Sequence, residues 1–384
     1  MIYADHAATT KPCRAAREAM LDCMERAWGN PSSLYLLGQQ ANAVLQNARA
    51  DVARCIGALP REICFTSGGS EADNQALRGA AWLGKQRGKT HLISTAIEHH
   101  AVLHTLDRLK EEGFDVTLIG VDETGIVRPE DVAAAMREDT ALVSVMYANN
   151  EIGTIQPIAE IGALCRQRGV LFHTDAVQAV GHLPIDVRRD NIDLLSLSGH
   201  KFCGPRGTGA LYIRQGLSLR PLIEGGAQER GRRAGTENLP AIAGMAAALD
   251  EACSGMAARN VRLCALRDRL IAGLAQIPHS LLNGDPVRRL PGNVNFCFEG
   301  IEGETLLLLL DEQGIQASSG SACTSGSLDP SHVLLALGRS RETARGSLRL
   351  SLGAENTEED VDTIIRETGK AVASLRAMRA KNSF

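Results

Sequence analysis

Several reactive side chains in this chain stand where ordinary surface chemistry does not place them. Lys201, in SLSGHKFCGPRGTGA (196–210), follows an apolar run and lies among Ser, Gly and His rather than on a charged helix face. Partial desolvation at such a position lowers a lysine's pKa toward that of a nucleophilic amine; a solvated surface lysine is the competing reading. Asp175 closes the apolar run VLFHTDAVQ, with Gln178 three residues on. An acid there accepts a hydrogen bond from a cationic ring nitrogen, or caps the next helix. His173 and Asp175 also suggest a metal, but i and i+2 of one strand supply only two ligands. In TSGGSEADN (66–74), two glycines allow close backbone approach, and helix N-terminal amides with Ser70 make an anion cradle. The motif is neither G-x-G-x-x-G nor a Walker A, so a single phosphate fits better than a nucleotide. A tight turn without ligand is the alternative.

An anion cradle, a strand-end acid and a loop lysine together match what pyridoxal phosphate needs: a phosphate anchor, a partner for the ring nitrogen and a Schiff-base lysine. IEHHAVL adds His99 and His100, one able to lie on the ring face and move protons, the other a surface or capping histidine. Asn150 of ANNEIG is able to hydrogen-bond a ring substituent, or simply forms a turn. Arg349 of GSLRLSLG alternates with Leu348 and Leu350, so it faces away from them. A fixed guanidinium there grips an α-carboxylate or makes a structural ion pair. QERGRRAGTEN (228–238) reads as an active-site or subunit-boundary loop, or as a solvated charged one. Cys323 stands alone in IQASSGSACTSGSLDP (315–330), a stretch with too little apolar surface to pack.

Six short apolar runs between about residues 60 and 215 alternate with helix-period segments. That pattern predicts an α/β fold with a mostly parallel sheet covered by helices on both faces. Ligands of such sheets bind beyond the carboxyl ends of the strands, where the polar residues above lie. GALYIR (209–214) follows the sixth run too closely for a helical crossover and is expected to pair antiparallel. After residue 240, LPAIAGM…AGLAQI reads as one long helix. GNVNFCFEG and GSLRLSLG read as strands, EGETLLLLLDEQG as a helix, and a closing helix starts at a Thr357 cap. The expected division is a large domain over 15–255 and a smaller α+β domain formed by 1–14 and 256–384.

The 384 residues are 44% hydrophobic and 22% charged, enough to bury a sizeable core. A net charge of −4 without a basic block gives no reason to expect nucleic acid or an anionic membrane as partner. No apolar run approaches a membrane span, and MIYADHAATT lacks the features of a signal peptide. Ten cysteines without a C-x-x-C or a regular framework point to reduced thiols and a cytoplasmic enzyme.

In order and spacing, YADHAATT, GNPSS, FTSGGSEADN, EHHAVL, NNEIGTIQPI, HTDAVQAVG, SGHK, QERGRRAGTEN, SSGSACTSGSLDPSHV and RLSLG resemble the cysteine desulfurases. These are fold-type I pyridoxal phosphate enzymes of aminotransferase class V, and the resemblance is strongest to the NifS-type members. It covers nearly the whole chain. It implies Lys201 as the Schiff-base lysine, Asp175 as partner of the ring nitrogen and His99 as the ring-stacking histidine that helps deprotonate a thiol. Gly69, Ser70, Ser198 and His200 would hold the phosphate, with Thr236 from the other subunit of a homodimer. Asn150 and Gln178 would contact the ring hydroxyl side, and Asn30 and Arg349 the substrate carboxylate. Cys323 matches the cysteine that accepts sulfur, on a loop of the group I kind that swings between active site and acceptor. Tyr35 departs from the family pattern, where many members place His.

The implied reaction takes sulfur from L-cysteine, gives alanine and a Cys323 persulfide, and passes sulfur to an iron–sulfur scaffold or other acceptor protein. A selenocysteine lyase would share the cofactor and carboxylate grip but prefer selenocysteine. A plain aminotransferase would need a keto acid and no Cys323. A partner-dependent sulfur-carrier scaffold would be colourless and inert alone.

Overall fold

A computed structural model describes residues 1–319 and 329–382. Its strands are β1 (Ile2–Tyr3), β2 (Ile63–Thr66), β3 (His91–Thr95), β4 (Asp115–Ile119), β5 (Thr140–Ser144) and β6 (Leu171–Asp175). They continue as β7 (Leu194–Ser198), β8 (Gly209–Ile213), β9 (Ser280–Leu282), β10 (Asn293–Phe298), β11 (Ile315–Gln316) and β12 (Ser347–Ser351). The main sheet has the order β2-β8-β7-β6-β5-β3-β4. β8 runs antiparallel to both neighbours and the other pairs are parallel. Each of the six apolar runs is therefore a strand, and GALYIR pairs as its short connection requires.

Alternation along the strands divides the core into two faces. Ile63, Phe65, Ile93, Val143, Phe172, Leu195 and Tyr212 belong to one buried cluster, with Ala41, Leu45 and Val52 of the helix Leu36–Cys55 against them. Their neighbours Cys64, Leu92, Leu142, Leu194 and Leu211 belong to another, with Ala76, Leu77, Val102 and Leu106 from the helices Gly69–Lys85 and His100–Glu111. Both faces being covered, the strands read as continuous apolar runs rather than alternating ones.

A third cluster gathers Leu263, Leu270, Val294, Phe296, Leu306, Leu348, Leu350 and Ile364. They line the antiparallel order β12-β10-β9 and the helices Met256–Leu274, Gly303–Glu312 and Glu358–Asn382. Thr357 caps the last helix: its Oγ1 accepts from Asp360 N (3.2 Å) while Asp360 Oδ2 accepts from Thr357 N (3.0 Å). The expected long helix after residue 240 is two, Leu239–Ser254 and Met256–Leu274. They part at Gly255 (φ −92°, ψ 2°), where the dihedrals leave the helical well. The apolar period continues across the break, which hid it.

The Arg-rich loop is anchored to the core through Glu229, while Arg230, Gly235 and Thr236 are exposed. Glu229 is buried, forms a two-point ion pair with Arg49 (2.7 Å each) and accepts from Phe65 N (2.9 Å). Its φ of 48° is the strained geometry that this pairing holds. Removing one member of such a buried pair generally costs about 3–5 kcal/mol.

Candidate active site

β2 and the other parallel strands end on one edge of the sheet, and the turns after β2, β3, β5, β6 and β7 converge on a cavity of about 360 Å³. Gly69, Ser70, His99, Asn150, Asp175, Gln178, Ser198, His200, Lys201 and Arg349 all line it. These ten positions lie far apart in sequence, and the topology brings them together. Asn30 and Thr236 are exposed and do not line the cavity of their own chain. Asn30 Oδ1 accepts from Ser32 N (2.9 Å), which is local turn chemistry. Cys323 lies outside the described residues.

The anion end is the start of the helix Gly69–Lys85. A Cβ on Gly69 would sit 2.6 Å from Val177 Cγ2, so only glycine lets the helix start pack against the turn after β6. Glu71, in the first turn, accepts from Ser67 N (2.9 Å) and pairs with Arg233 (3.0 Å), tying the loop 228–238 to the cradle. His200 stands opposite, its Nδ1 3.1 Å from Thr9 Oγ1. Burial, then the nearby Lys201 charge, holds its pKa down to about 4, so it is neutral at pH 7.

Lys201 ends the short turn Gly199–Lys201 after β7. Its Nζ donates to the carbonyls of Ala7 (2.6 Å) and Ala8 (2.9 Å). Gln178 Nε2 donates to the same Ala7 carbonyl (3.0 Å), so that amide nitrogen is engaged by the N-terminal segment.

His99 is both the cavity histidine and the cap of the helix His100–Glu111: its Nδ1 accepts from Ala101 N at 3.1 Å. The sequence reading assigned capping to the other histidine. Burial, with Lys201 nearby, pushes the pKa of His99 down to about 4. With Nδ1 accepting, the neutral ring carries its proton on Nε2. His99 is thus set to donate a hydrogen bond, where a thiol base was expected. His100 also lines the cavity, its ring 4.8 Å from that of His332.

The floor is acidic. Asp175 is buried at the end of β6, with Oδ1 accepting from Val177 N (2.9 Å). Asp73 and Glu98 line the same cavity and are buried, and Asp73 Oδ1 and Glu98 Oε2 have no hydrogen-bond partner. Burial raises the pKa of all three carboxyls, and the Asp175 charge raises Asp73 further. A cation on this floor would relieve that cost. His173 supplies none: it accepts and donates among Ser144 Oγ (2.8 Å) and Ser196 Oγ (3.0 Å), and burial holds its pKa down to about 3. Among the described residues no cluster could hold a metal ion, and no helix is long and apolar enough to cross a membrane.

Glu98 carries a pH prediction. Its Oε1 accepts from Thr95 Oγ1 (2.7 Å) and Met146 N (2.9 Å), and burial pushes its pKa up to about 8. A free glutamate titrates near about 4.3. The native state therefore keeps a proton that the unfolded state has released, and stability is lost as pH rises toward 8. Urea unfolding from pH 5 to 8 should show this fall, and Glu98→Gln should reduce the slope by up to about 1.4 kcal/mol per pH unit. Equal slopes in both proteins would contradict the assignment.

Arg349 is 2% exposed and reaches the cavity from β12, while Leu348 and Leu350 enter the third cluster, as their alternation requires. Its Nη2 donates to Asp5 Oδ1 (2.7 Å) and its Nη1 to the Asn150 carbonyl (3.2 Å). The residues flanking 320–328 are bound to the same walls. Ser318 and Arg349 exchange backbone hydrogen bonds (3.1 and 2.6 Å), and Ser347 Oγ donates to the Ser319 carbonyl (2.8 Å). Beyond the segment, Ser331 Oγ donates to Glu151 Oε2 (2.5 Å) and His332 Nε2 lies 3.0 Å from the Glu98 carbonyl.

Asp5, Asp73, Glu98, Glu151 and His332 were not singled out from the sequence. Each sits inside a quoted motif; Asp73, Glu98, Glu151 and His332 are distinguished by lining the cavity, and Asp5 by its ion pair with Arg349.

The family model for aminotransferase class V matches residues 2–364. Cysteine desulfurase IscS of Methanosarcina thermophila is 54% identical over 377 residues, covering 98% of this chain and 93% of that protein. Cysteine desulfurase NifS of Azotobacter vinelandii is 48% identical over 377 residues, with the same coverage. Among solved structures, a NifS-like protein superposes with a TM-score of 0.91 at 38% identity, over 97% of this chain and all of that one. SspA in complex with cysteine gives 0.82 at 36% identity, over 93% of this chain and all of that one.

Proposed function

This chain belongs to the aminotransferase class-V family and, within it, to the cysteine desulfurases of the IscS and NifS kind, and from that premise we propose how its cavity works. It removes sulfur from L-cysteine, leaves L-alanine and supplies the sulfur for iron–sulfur cluster assembly. The observation that carries the reading is one cavity lined by an anion cradle, a buried acid, a strand-end lysine and a guanidinium.

Pyridoxal phosphate fits these residues. The start of the helix Gly69–Lys85 offers backbone amides to a phosphate, and buried Asp175 with the partnerless Oδ1 of Asp73 suits a cationic ring nitrogen. When bound, the cofactor supplies an electron sink for the carbanion formed at the substrate's Cα. Gly69, Ser70, Ser198 and His200 hold its phosphate, Asp175 its ring nitrogen, His99 its ring face, and Asn150 and Gln178 its hydroxyl side. Lys201 Nζ is its attachment point.

Arg349 holds the carboxylate of L-cysteine, and Lys201 Nζ takes the α-proton. Cys323, as thiolate, attacks the substrate sulfur. The Cβ–Sγ bond breaks and an S–S bond forms on Cys323; the electron pair left on carbon takes a proton at Cβ, and return of the α-proton from Lys201 Nζ to Cα completes alanine. A thiol of pKa near about 8.5 benefits from a nearby hydrogen-bond donor, the part that neutral His99 plays. The persulfide then passes sulfur to an acceptor protein.

The working form is a cytoplasmic homodimer, with Thr236 completing the partner's phosphate site. Supporting this are Trp28, Leu34, Tyr35 and Leu36, which are 62–90% exposed within nine residues of sequence. A division into two domains, 15–255 and 1–14 with 256–384, is supported by the break at Gly255 and by the third core cluster. The experiment is an absorption spectrum of the purified protein followed by paired assays on L-cysteine and L-selenocysteine in the presence of a thiol reductant. A visible cofactor band with stoichiometric alanine and sulfide from cysteine is expected. Turnover of selenocysteine alone would replace this reading with a lyase.

A further inference from the structure

The N-terminal segment Asp5–Ala8 touches both reactive cations of the site. Ala7 and Ala8 receive Lys201 Nζ at 2.6 and 2.9 Å, and Asp5 Oδ1 receives Arg349 Nη2 at 2.7 Å. The backbone locks the segment in place. Asp5 bridges Ser351 in parallel register, Ser351 O accepts from His6 N (3.2 Å) and Ser351 Oγ accepts from Ala7 N (2.8 Å). Tyr3 OH donates to the Asp5 and Thr9 carbonyls (3.1 and 2.7 Å). These bonds hold the Asp5 backbone beside β12, the strand that carries Arg349.

We propose that Asp5 is a specificity-determining residue: an internal carboxylate that shares Arg349 with the substrate's carboxylate and sets how tightly the site binds anions. This rests on the reading of Arg349 as the substrate grip. Arg349 is 2% exposed, so an unanswered guanidinium there would be costly, and Asp5 answers it. An incoming carboxylate meets a cation already half neutralised, and the two carboxylates repel at short range. Two effects of removing the Asp5 charge oppose each other. Less fixed orientation of Arg349 weakens binding, and relief of carboxylate repulsion strengthens it. Charge repulsion at a few ångströms in a partly buried site is the larger effect. Weakened binding suits an enzyme whose product, alanine, keeps the carboxylate of its substrate and has to leave.

The test is Asp5→Asn, which keeps an oxygen acceptor for Arg349 Nη2 and removes only the charge. L-alanine is titrated into wild-type and D5N holoenzyme, followed by the change in the cofactor's visible band, and KM and kcat for L-cysteine are measured. The expected result is about tenfold tighter alanine binding and a lower KM, with the unliganded cofactor spectrum unchanged. Unchanged or weaker alanine binding overturns the proposal. So does a disturbed spectrum with falling stability, which would mark Asp5 as purely structural. Arg349→Gln separates the two readings. If R349Q leaves alanine binding untouched, the Arg349 reading fails. If R349Q weakens it while D5N does not tighten it, only the role of Asp5 fails.

Discussion

Lys201→Arg and Lys201→Ala proteins are expected to lose turnover of L-cysteine by about 10⁴-fold or more, a loss of the size seen when a covalent catalytic group is removed. The two substitutions separate chemistry from scaffolding. Lys201 Nζ also bridges the Ala7 and Ala8 carbonyls, so an alanine there removes a tie between β7 and the N-terminal segment. Arginine keeps donors for those carbonyls but does not attach the cofactor. Both proteins should lose the visible band of the lysine-bound cofactor, and K201R should keep near-native thermal stability. An unchanged band in either protein would refute the assignment of Lys201.

Cys323→Ser and Cys323→Ala are expected to reduce sulfide release by about 100-fold or more and to leave the cofactor band as it is. A hydroxyl does not displace sulfur from carbon at neutral pH, and nothing else in the proposed scheme requires residue 323. Ser318 and Ser319 are bound to β12 beside Arg349, and Ser331 and His332 to Glu151 and Glu98. The segment that carries Cys323 thus begins and ends at the cavity wall, which supports its thiol as the sulfur acceptor. Normal sulfide release from either protein would remove Cys323 from the mechanism.

Much of this arrangement was legible in the sequence for identifiable reasons. Strands buried on both faces leave apolar runs that no helix period imitates, so β2, β3, β5, β6 and β7 stood out. The connection before β8 is too short for a crossover and dictated an antiparallel strand. Lys201, Asp175 and Ser70 were found because polar residues at strand ends have few packing uses. Other features needed three dimensions. Gly255 interrupts a helical period that resumes in phase, so two helices read as one. His99 and His100 are adjacent, and only the hydrogen bond from Ala101 N shows which one caps. Asn30 sits in a motif shared with the family, yet its side chain closes a local turn. Asp5 and Arg349 are 344 residues apart, and no local pattern links them.

Mapping sulfur on the protein tests the central claim most directly. The purified enzyme is mixed with L-cysteine without reductant, alanine is quantified, and the peptide containing Cys323 is weighed by mass spectrometry. One added sulfur on that peptide, reversed by a thiol reductant and matched by alanine formed, is the predicted result. Alanine produced while Cys323 stays unmodified would contradict it.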